Sequence, residues 1–294
     1  VIEELGIPID CIAGTSMGAI VGGLYASGMG PADIERAIAA IDWTDIFMDE
    51  PPREQRRIRR KQDDELFFIR HRPGVKERER EVNLVPALIQ GQKLDLALRR
   101  LTLPVSEVAE FDRLRIPFRA VATNVVTGHP VVLGSGDLAK AIRASMAFPA
   151  IFAPVELDDK LLVDGFVSMN LPVNVVRGME AEIVIAVDVS GPRRGREEIT
   201  DALQMLDQIA SLLTWRNTEE QIATLTDEDI LIVPDLDRQV LAGDFDKIAQ
   251  AVSIGAAGAE HQREKLSRLA LAERDYLAYW ERHRPPGYAP PTID

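Results

Sequence analysis

The stretch Ile7-Pro-Ile-Asp-Cys-Ile-Ala-Gly-Thr-Ser-Met-Gly-Ala-Ile-Val-Gly-Gly-Leu24 constrains the fold more than any other part of the chain. Its apolar start, Ile7 to Ala13, reads as a short buried strand. Gly14-Thr-Ser-Met-Gly18 reads as a tight turn, and Met17 to Ser27 as a helix. A strand that reverses into a helix within one residue forces the central residue into a strained backbone conformation, and flanking glycines let the two elements pass each other. Ser16 then presents its hydroxyl at a helix N-terminus, where unpaired N–H groups and the helix dipole favour negative charge. Gly14-x-Ser16-x-Gly18 has the spacing of a nucleophile elbow. Gly22 and Gly23, one turn on, suit close helix–sheet packing. Taken alone, the pentapeptide also fits a glycine-rich turn with an ordinary serine.

The rest of the chain alternates strand and helix patterns. Gly28 stops the first helix and Pro31 opens a second, with Ile34, Ile38 and Ile41 in phase. Leu94 to Leu103 is an amphipathic helix closed by Pro104. Strands follow at Ile116–Ala122 and Pro130–Leu133, then a helix from Leu138 to Met146 with Asp137 as N-cap. Val155 to Val163 reads as a hairpin turning at Asp158-Asp159 and running directly into Asp164-Gly165. The apolar, β-branched run Glu182–Val189 reads as a central parallel strand buried on both faces. Helix is expected over 200–225, a strand over Asp229–Pro234, and mostly helix from Phe245 to Trp280. This order implies an α/β fold, a mainly parallel sheet covered on both faces, with sites at the carboxyl ends of strands. Ser16 and Asp164 each close such a strand.

Two segments stand apart in composition. Residues 51–81 carry Pro51-Pro52, the basic run Arg53–Lys61, and Leu66, Phe67 and Phe68 within a charged stretch. They read as a solvated excursion between core elements, or as a flap whose cations meet anionic head groups while its apolar residues touch acyl chains. Pro285 to Pro291 reads as a linker. Gly134-x-Gly136-x-x-Ala139 matches a dinucleotide fingerprint, but no βαβ unit with a spaced acidic residue follows it.

Composition narrows the chemistry. A net charge of −13 over 294 residues argues against a dedicated nucleic-acid binder. The single cysteine, Cys11, allows no internal disulfide and reads as a small core residue. The four histidines have no metal-ligand spacing with Cys or carboxylates, so a zinc site is not expected; no cofactor is expected either. No apolar run reaches the roughly 20 residues that span a bilayer.

A serine nucleophile needs a base for its proton and donors for the oxyanion. Of the histidines, His71 lies in the charged excursion and His129 follows a turn glycine. Only His261 and His283 follow Asp164, as the order Ser, acid, His of an α/β-hydrolase requires, and neither sits on a loop after a strand. A carboxylate is the other choice. Asp164-Gly165 places one on a tight turn with no bulky neighbour, and partial desolvation beside a hydroxyl raises its basicity. The same pair also fits a plain Asp-Gly turn.

Gly14-Thr-Ser-Met-Gly18, Ala144-Ser-Met-Ala-Phe-Pro149 with Phe152 and Pro154, and Val163-Asp-Gly165 with Asn170-Leu-Pro172 together resemble the patatin-like phospholipase family. The resemblance covers about residues 1–235. It implies a three-layer α/β/α sandwich around a mainly parallel sheet, and hydrolysis of lipid acyl esters by a Ser–Asp dyad without histidine. It would make Ser16 the nucleophile and Asp164 the base, with Gly14, Gly18 and Gly165 shaping the turns. Two departures stand out. The family's glycine-rich oxyanion loop belongs upstream of Val1, so the chain is expected to begin inside the fold. The family's usual Asp-Gly-Gly or Asp-Gly-Ala is Asp164-Gly165-Phe166 here, a milder departure in which Phe166 is expected to crowd the pocket.

The implied organisation is a catalytic domain over 1–235, a helical extension over 236–284 and a Pro-rich linker over 285–294. The last two resemble secreted bacterial members whose chain continues into an outer-membrane barrel. That points to a secreted or cell-surface protein, with the cytoplasm as the alternative. Expected partners are a phospholipid or other acyl ester met at a membrane surface and no nucleic acid, with a homodimer through the 245–280 helices as an option. Two further readings stay open: a His-dependent α/β-hydrolase esterase, and a non-catalytic lipid- or protein-binding module on the same fold.

Overall fold

The structure, a computed structural model, describes residues 1–46, 74–75, 82–83, 87–191, 196–198, 202–236, 240, 244 and 247–283. Apart from Gly74–Val75, the charged excursion at 51–81 lies outside the described residues, as does the linker at 285–294. In chain order the main elements are β1 (Ile12–Thr15), α1 (Met17–Ala26), α2 (Pro31–Ala39), α3 (Trp43–Ile46), β2 (Gly74–Val75), β3 (Val82–Asn83), β4 (Ala87–Ile89), α4 (Gln92–Thr102), β5 (Phe118–Asn124), β6 (Pro130–Leu133) and α5 (Leu138–Ser145). There follow β7 (Ala150–Phe152), β8 (Val155–Leu157), β9 (Lys160–Asp164), α6 (Val173–Gly178), β10 (Ile185–Val187), α7 (Ala202–Ile222), β11 (Ile230–Ile232), α8 (Ile248–His261), α9 (Arg263–Ser267) and α10 (Glu273–Arg282).

The architecture is three-layer α/β/α. Strand β5 is its axis. Phe118, Ala120 and Ala122 of β5 are buried in the main core with Ala19, Ile20 and Leu24 of α1 and Leu138, Ala141 and Ile142 of α5. Alternation turns Val121 and Thr123 to the other face, where the Thr123 hydroxyl lies 2.8 Å from that of Ser168. Beyond that face, Leu171, Val173, Val184 and Ala186 build a second cluster against Ile222 and Leu231. Helix α1 lies close on the sheet because Gly22 and Gly23 have no side chains. A Cβ at Gly22 would come 2.8 Å from Ile12 Cγ2, and one at Gly23 would come 2.9 Å from Ile142 Cδ1.

The strand pairing places the site. β1 runs parallel to the first half of β5, Ile12 opposite Phe118 through Thr15 opposite Val121. β9 runs antiparallel to its second half, with Asp164 opposite Ala122. Antiparallel β6 spans Ala120 to Thr123 of β5 and overlaps both of those registers, so it fills one edge and leaves β1 and β9 to share the other. The last residues of β1 and β9 therefore meet head to head, opposite adjacent residues of β5. Further parallel pairs join β4 to β7 and β10 to β11. The β8–β9 hairpin turns on Asp158 and Asp159, both with positive φ, the conformation of a two-residue hairpin loop.

Several expectations need correction. The first strand begins at Ile12 rather than Ile7. Ile7 instead packs with Ile230, Ile232 and Leu266 in a third cluster, which links the chain start to β11 and α9. Cys11 consequently precedes the strand and is half-buried. The run Glu182–Val189 is not a central strand buried on both faces. Only Ile185–Val187 is strand, it pairs with β11 alone among the described residues, and Val187 is 45% exposed. Gly134–Ala139 leads from antiparallel β6 into α5, so the fingerprint match is not part of a βαβ unit.

The C-terminal helices hold the segment that feeds β1. The Tyr279 hydroxyl of α10 donates to the Ile9 carbonyl at 2.6 Å, and the Leu271 N–H donates to the Gly6 carbonyl at 3.0 Å. Trp280 meets Tyr25 edge-on and carries the Arg115 guanidinium over its ring at 4.0 Å.

Candidate active site

Ser16 sits between β1 and α1 with φ 54° and ψ −119°. A non-glycine residue in that region costs about 1–3 kcal/mol and persists only where its surroundings impose it. The elbow imposes it here. A Cβ on Gly14 would lie 2.2 Å from the Gly18 carbonyl oxygen, so no side chain fits beneath the turn. Gly18 itself is different from the sequence expectation: a Cβ there meets nothing within 4 Å, and its glycine is not needed for passage of the two elements. Helix α1 has neither a side-chain cap nor an acidic residue in its first turn, so its dipole acts on Ser16 unopposed by either.

The Ser16 hydroxyl donates to Asp164 Oδ2 at 2.7 Å, across 148 residues of sequence. The two side chains expected to meet do so. Asp164 is 1% exposed. Its Oδ1 accepts from the Phe166 N–H at 3.1 Å. Burial pushes its carboxyl up to about 7, against the opposing pull of the hydrogen bonds from Ser16 and the Phe166 N–H. At neutral pH it therefore exists in both protonation states, the condition for accepting and returning a proton. Gly165 is required by space: a Cβ there would lie 2.3 Å from the Val121 carbonyl oxygen and 2.8 Å from Thr15 Cγ2.

Three positioning side chains escaped the sequence reading. Ser145, fully buried at the end of α5, accepts from the Ser16 N–H at 2.9 Å and donates to the Val121 carbonyl at 2.6 Å. It thus ties the Ser16 backbone to β5. Thr123 donates to the Asp164 carbonyl at 3.0 Å, and Thr15 donates to the Met169 carbonyl at 2.9 Å. The Asp164 N–H in turn donates to the Ala147 carbonyl at 2.9 Å, so the Ala144–Pro149 block supports both halves of the pair. The block itself was visible in sequence. Its bonds to Ser16 and Asp164 are long-range and leave no local pattern.

The histidines lie elsewhere. His129 is in the β5–β6 turn, His261 ends α8, and His283 follows α10 with its Nδ1 2.8 Å from the Tyr279 carbonyl. His71 is outside the described residues. Among the described residues, no group of three or more His, Cys, Asp or Glu side chains is placed to hold a metal ion. Nor is any helix among them long and apolar enough to cross a membrane.

The chain has relatives among known proteins. The chain is 32% identical over 194 residues to an NTE family protein of Mycobacterium tuberculosis, which covers 66% of this chain and 44% of that protein. It is 28% identical over 220 residues to patatin-like phospholipase domain-containing protein 7 of Rattus norvegicus, covering 73% of this chain and 14% of the relative. It is 26% identical over 219 residues to patatin-like phospholipase domain-containing protein 6 of Homo sapiens, covering 73% and 13%. The chain thus spans less than half the length of these curated relatives. The family model for patatin-like phospholipases matches residues 1–177, more than half the chain and the whole of the Ser16–Asp164 arrangement, and the chain belongs to that family.

Proposed function

We propose that this chain is a lipid acyl hydrolase, of phospholipase A or lysophospholipase type, working through an acyl-serine intermediate on a Ser16–Asp164 dyad. The observation that carries the reading is the 2.7 Å hydrogen bond from a hydroxyl on a strained elbow to a buried carboxylate. Ser16 Oγ attacks the ester carbonyl carbon while its proton passes to Asp164 Oδ2. The tetrahedral intermediate collapses, the leaving alkoxide takes that proton, and the acyl group stays on Ser16. Water then attacks the acyl carbon and gives a proton to Asp164. Collapse releases the fatty acid, and the proton returns to the Ser16 oxygen.

The His-dependent alternative has no comparable support, since none of the described histidines lies at the elbow. Ester turnover by the full-length protein tests both readings. Ser16→Ala and Asp164→Asn should each abolish it, while His261→Ala and His283→Ala should leave it in place. Turnover that survives Ser16→Ala overturns the dyad, and vesicle binding with no product from the wild type favours a non-catalytic module.

Membrane-surface encounter and a secreted or cell-surface location belong to the same reading. They rest on the resemblance of the sequence and on the lipid esters that the family name implies. Cell fractionation tests them, and a wholly cytoplasmic protein would contradict the location.

A further inference from the structure

The rings of Phe148 and Phe166 stack with centroids 4.8 Å apart and planes 16° from parallel. They differ from the other phenylalanine pair described, Phe111 and Phe118, where both rings are completely buried and fill the core. Phe148 and Phe166 are each only half-buried. Phe148 lies against the main core on one side. A pair of hydrocarbon rings left partly in water offers apolar area that gains about 25 cal/mol per Å² when an apolar group covers it.

The pair stands beside the dyad. Phe166 is two residues from Asp164 and donates its N–H to that carboxylate. Phe148 follows Ala147, whose carbonyl accepts the Asp164 N–H. The backbone beneath Phe166 is fixed as well: its carbonyl accepts from Asn217 Nδ2 at 3.0 Å and from Thr214 Oγ1 at 3.4 Å, both on α7. The Phe166 backbone is thus anchored before any substrate arrives, which limits the ordering cost of binding against its ring.

We propose that the Phe148–Phe166 stack is the platform on which the acyl chain of the ester lies, which makes these two residues determinants of acyl-chain length. The proposal rests on the hydrolase reading above and adds to it the part of the substrate that is recognised. A fatty-acyl chain is the fitting occupant because the stack offers flat apolar area and no side-chain hydrogen-bonding group.

The test is a series of p-nitrophenyl esters, from acetate through butyrate and octanoate to laurate, hydrolysed by the full-length wild type, Phe166→Ala, Phe148→Ala and Phe166→Leu. In both alanine variants the laurate-to-acetate ratio of kcat/KM should fall by about tenfold or more, the effect of losing contact with two or so methylenes. Phe166→Leu keeps apolar volume and should retain most of the ratio. Phe148→Ala reads the same quantity if Phe166→Ala does not fold. An unchanged ratio in alanine variants that still hydrolyse acetate overturns this proposal and leaves the hydrolase reading intact. Absence of turnover of every ester by the wild type overturns the hydrolase reading, and the platform with it.

Discussion

Replacing Asp164 by Asn should stabilise the fold while removing the proposed base, and the gain should depend on pH. The carboxyl is 1% exposed, and burial lifts its pKa from the ordinary 3.8 to about 7. Between those values the native state holds a proton that the unfolded chain has released. Native stability is therefore greatest below the unfolded pKa, falls as pH rises through the interval, and levels off above about 7. An interval of about 3 pH units at about 1.4 kcal/mol each amounts to about 4 kcal/mol lost by the wild type in mildly alkaline buffer. An amide keeps the shape, accepts from the Phe166 N–H, donates to Ser16 Oγ and does not ionise. Urea unfolding of both proteins near pH 4 and near pH 8 gives the comparison, since every other titrating group cancels in the difference. The variant should be more stable by about 4 kcal/mol at the higher pH and by less than about 1 kcal/mol at the lower one. A difference that does not change with pH would refute the argument that burial sets the state of this carboxyl.

Other outcomes follow from the same geometry. On the proposed dyad Asp164 must be ionised to take the Ser16 proton, so kcat/KM should rise with pH through about 7 and then level, as a pH–rate profile would show. Ser145→Ala leaves the Ser16 N–H without its acceptor. It should cost about 1–3 kcal/mol in chemical denaturation and lower kcat about tenfold at nearly constant KM. Gly14→Ala should prevent folding, read as loss of soluble protein, because its Cβ meets backbone at 2.2 Å. Gly18→Ala, in open space and within α1, should instead raise the melting temperature through a gain of up to about 1 kcal/mol in helix propensity. Tyr279→Phe removes the hydrogen bond to Ile9 and should destabilise by about 1 kcal/mol in denaturant titration, while the pH–rate profile keeps its shape.

Much of the site was legible where local chemistry dictates geometry. The elbow at Gly14–Gly18, the hairpin turn at Asp158-Asp159 and the cap at Asp137, whose carboxylate accepts from the Lys140 N–H, follow from rules that act over a few residues. The meeting of Ser16 with Asp164 was reached through the family resemblance, because no local pattern reports a contact across 148 residues. The sharing of one β5 edge by β1 and β9 was out of reach for the same reason, as it depends on β6 occupying the other edge. Ser145 lies in a recognised block but reads only as part of the end of the Leu138–Met146 helix. The run Glu182–Val189 misled because hydrophobicity reports burial only when a partner layer is present, and Val187 and Val189 remain exposed. Ile7 fitted a strand by composition, yet its apolar side chain packs with β11 and α9 outside any sheet pairing.

The central claim is that the Ser16 hydroxyl, delivered by the strained elbow to the Asp164 carboxylate, is the group that carries the acyl chain. Peptide mapping by mass spectrometry after reaction of the full-length protein with a fluorophosphonate tests it most directly. A single adduct should map to Ser16, form more slowly as pH falls below about 7, and be absent from Ser16→Ala. An adduct on any other residue, or labelling that persists in Ser16→Ala, would contradict the account.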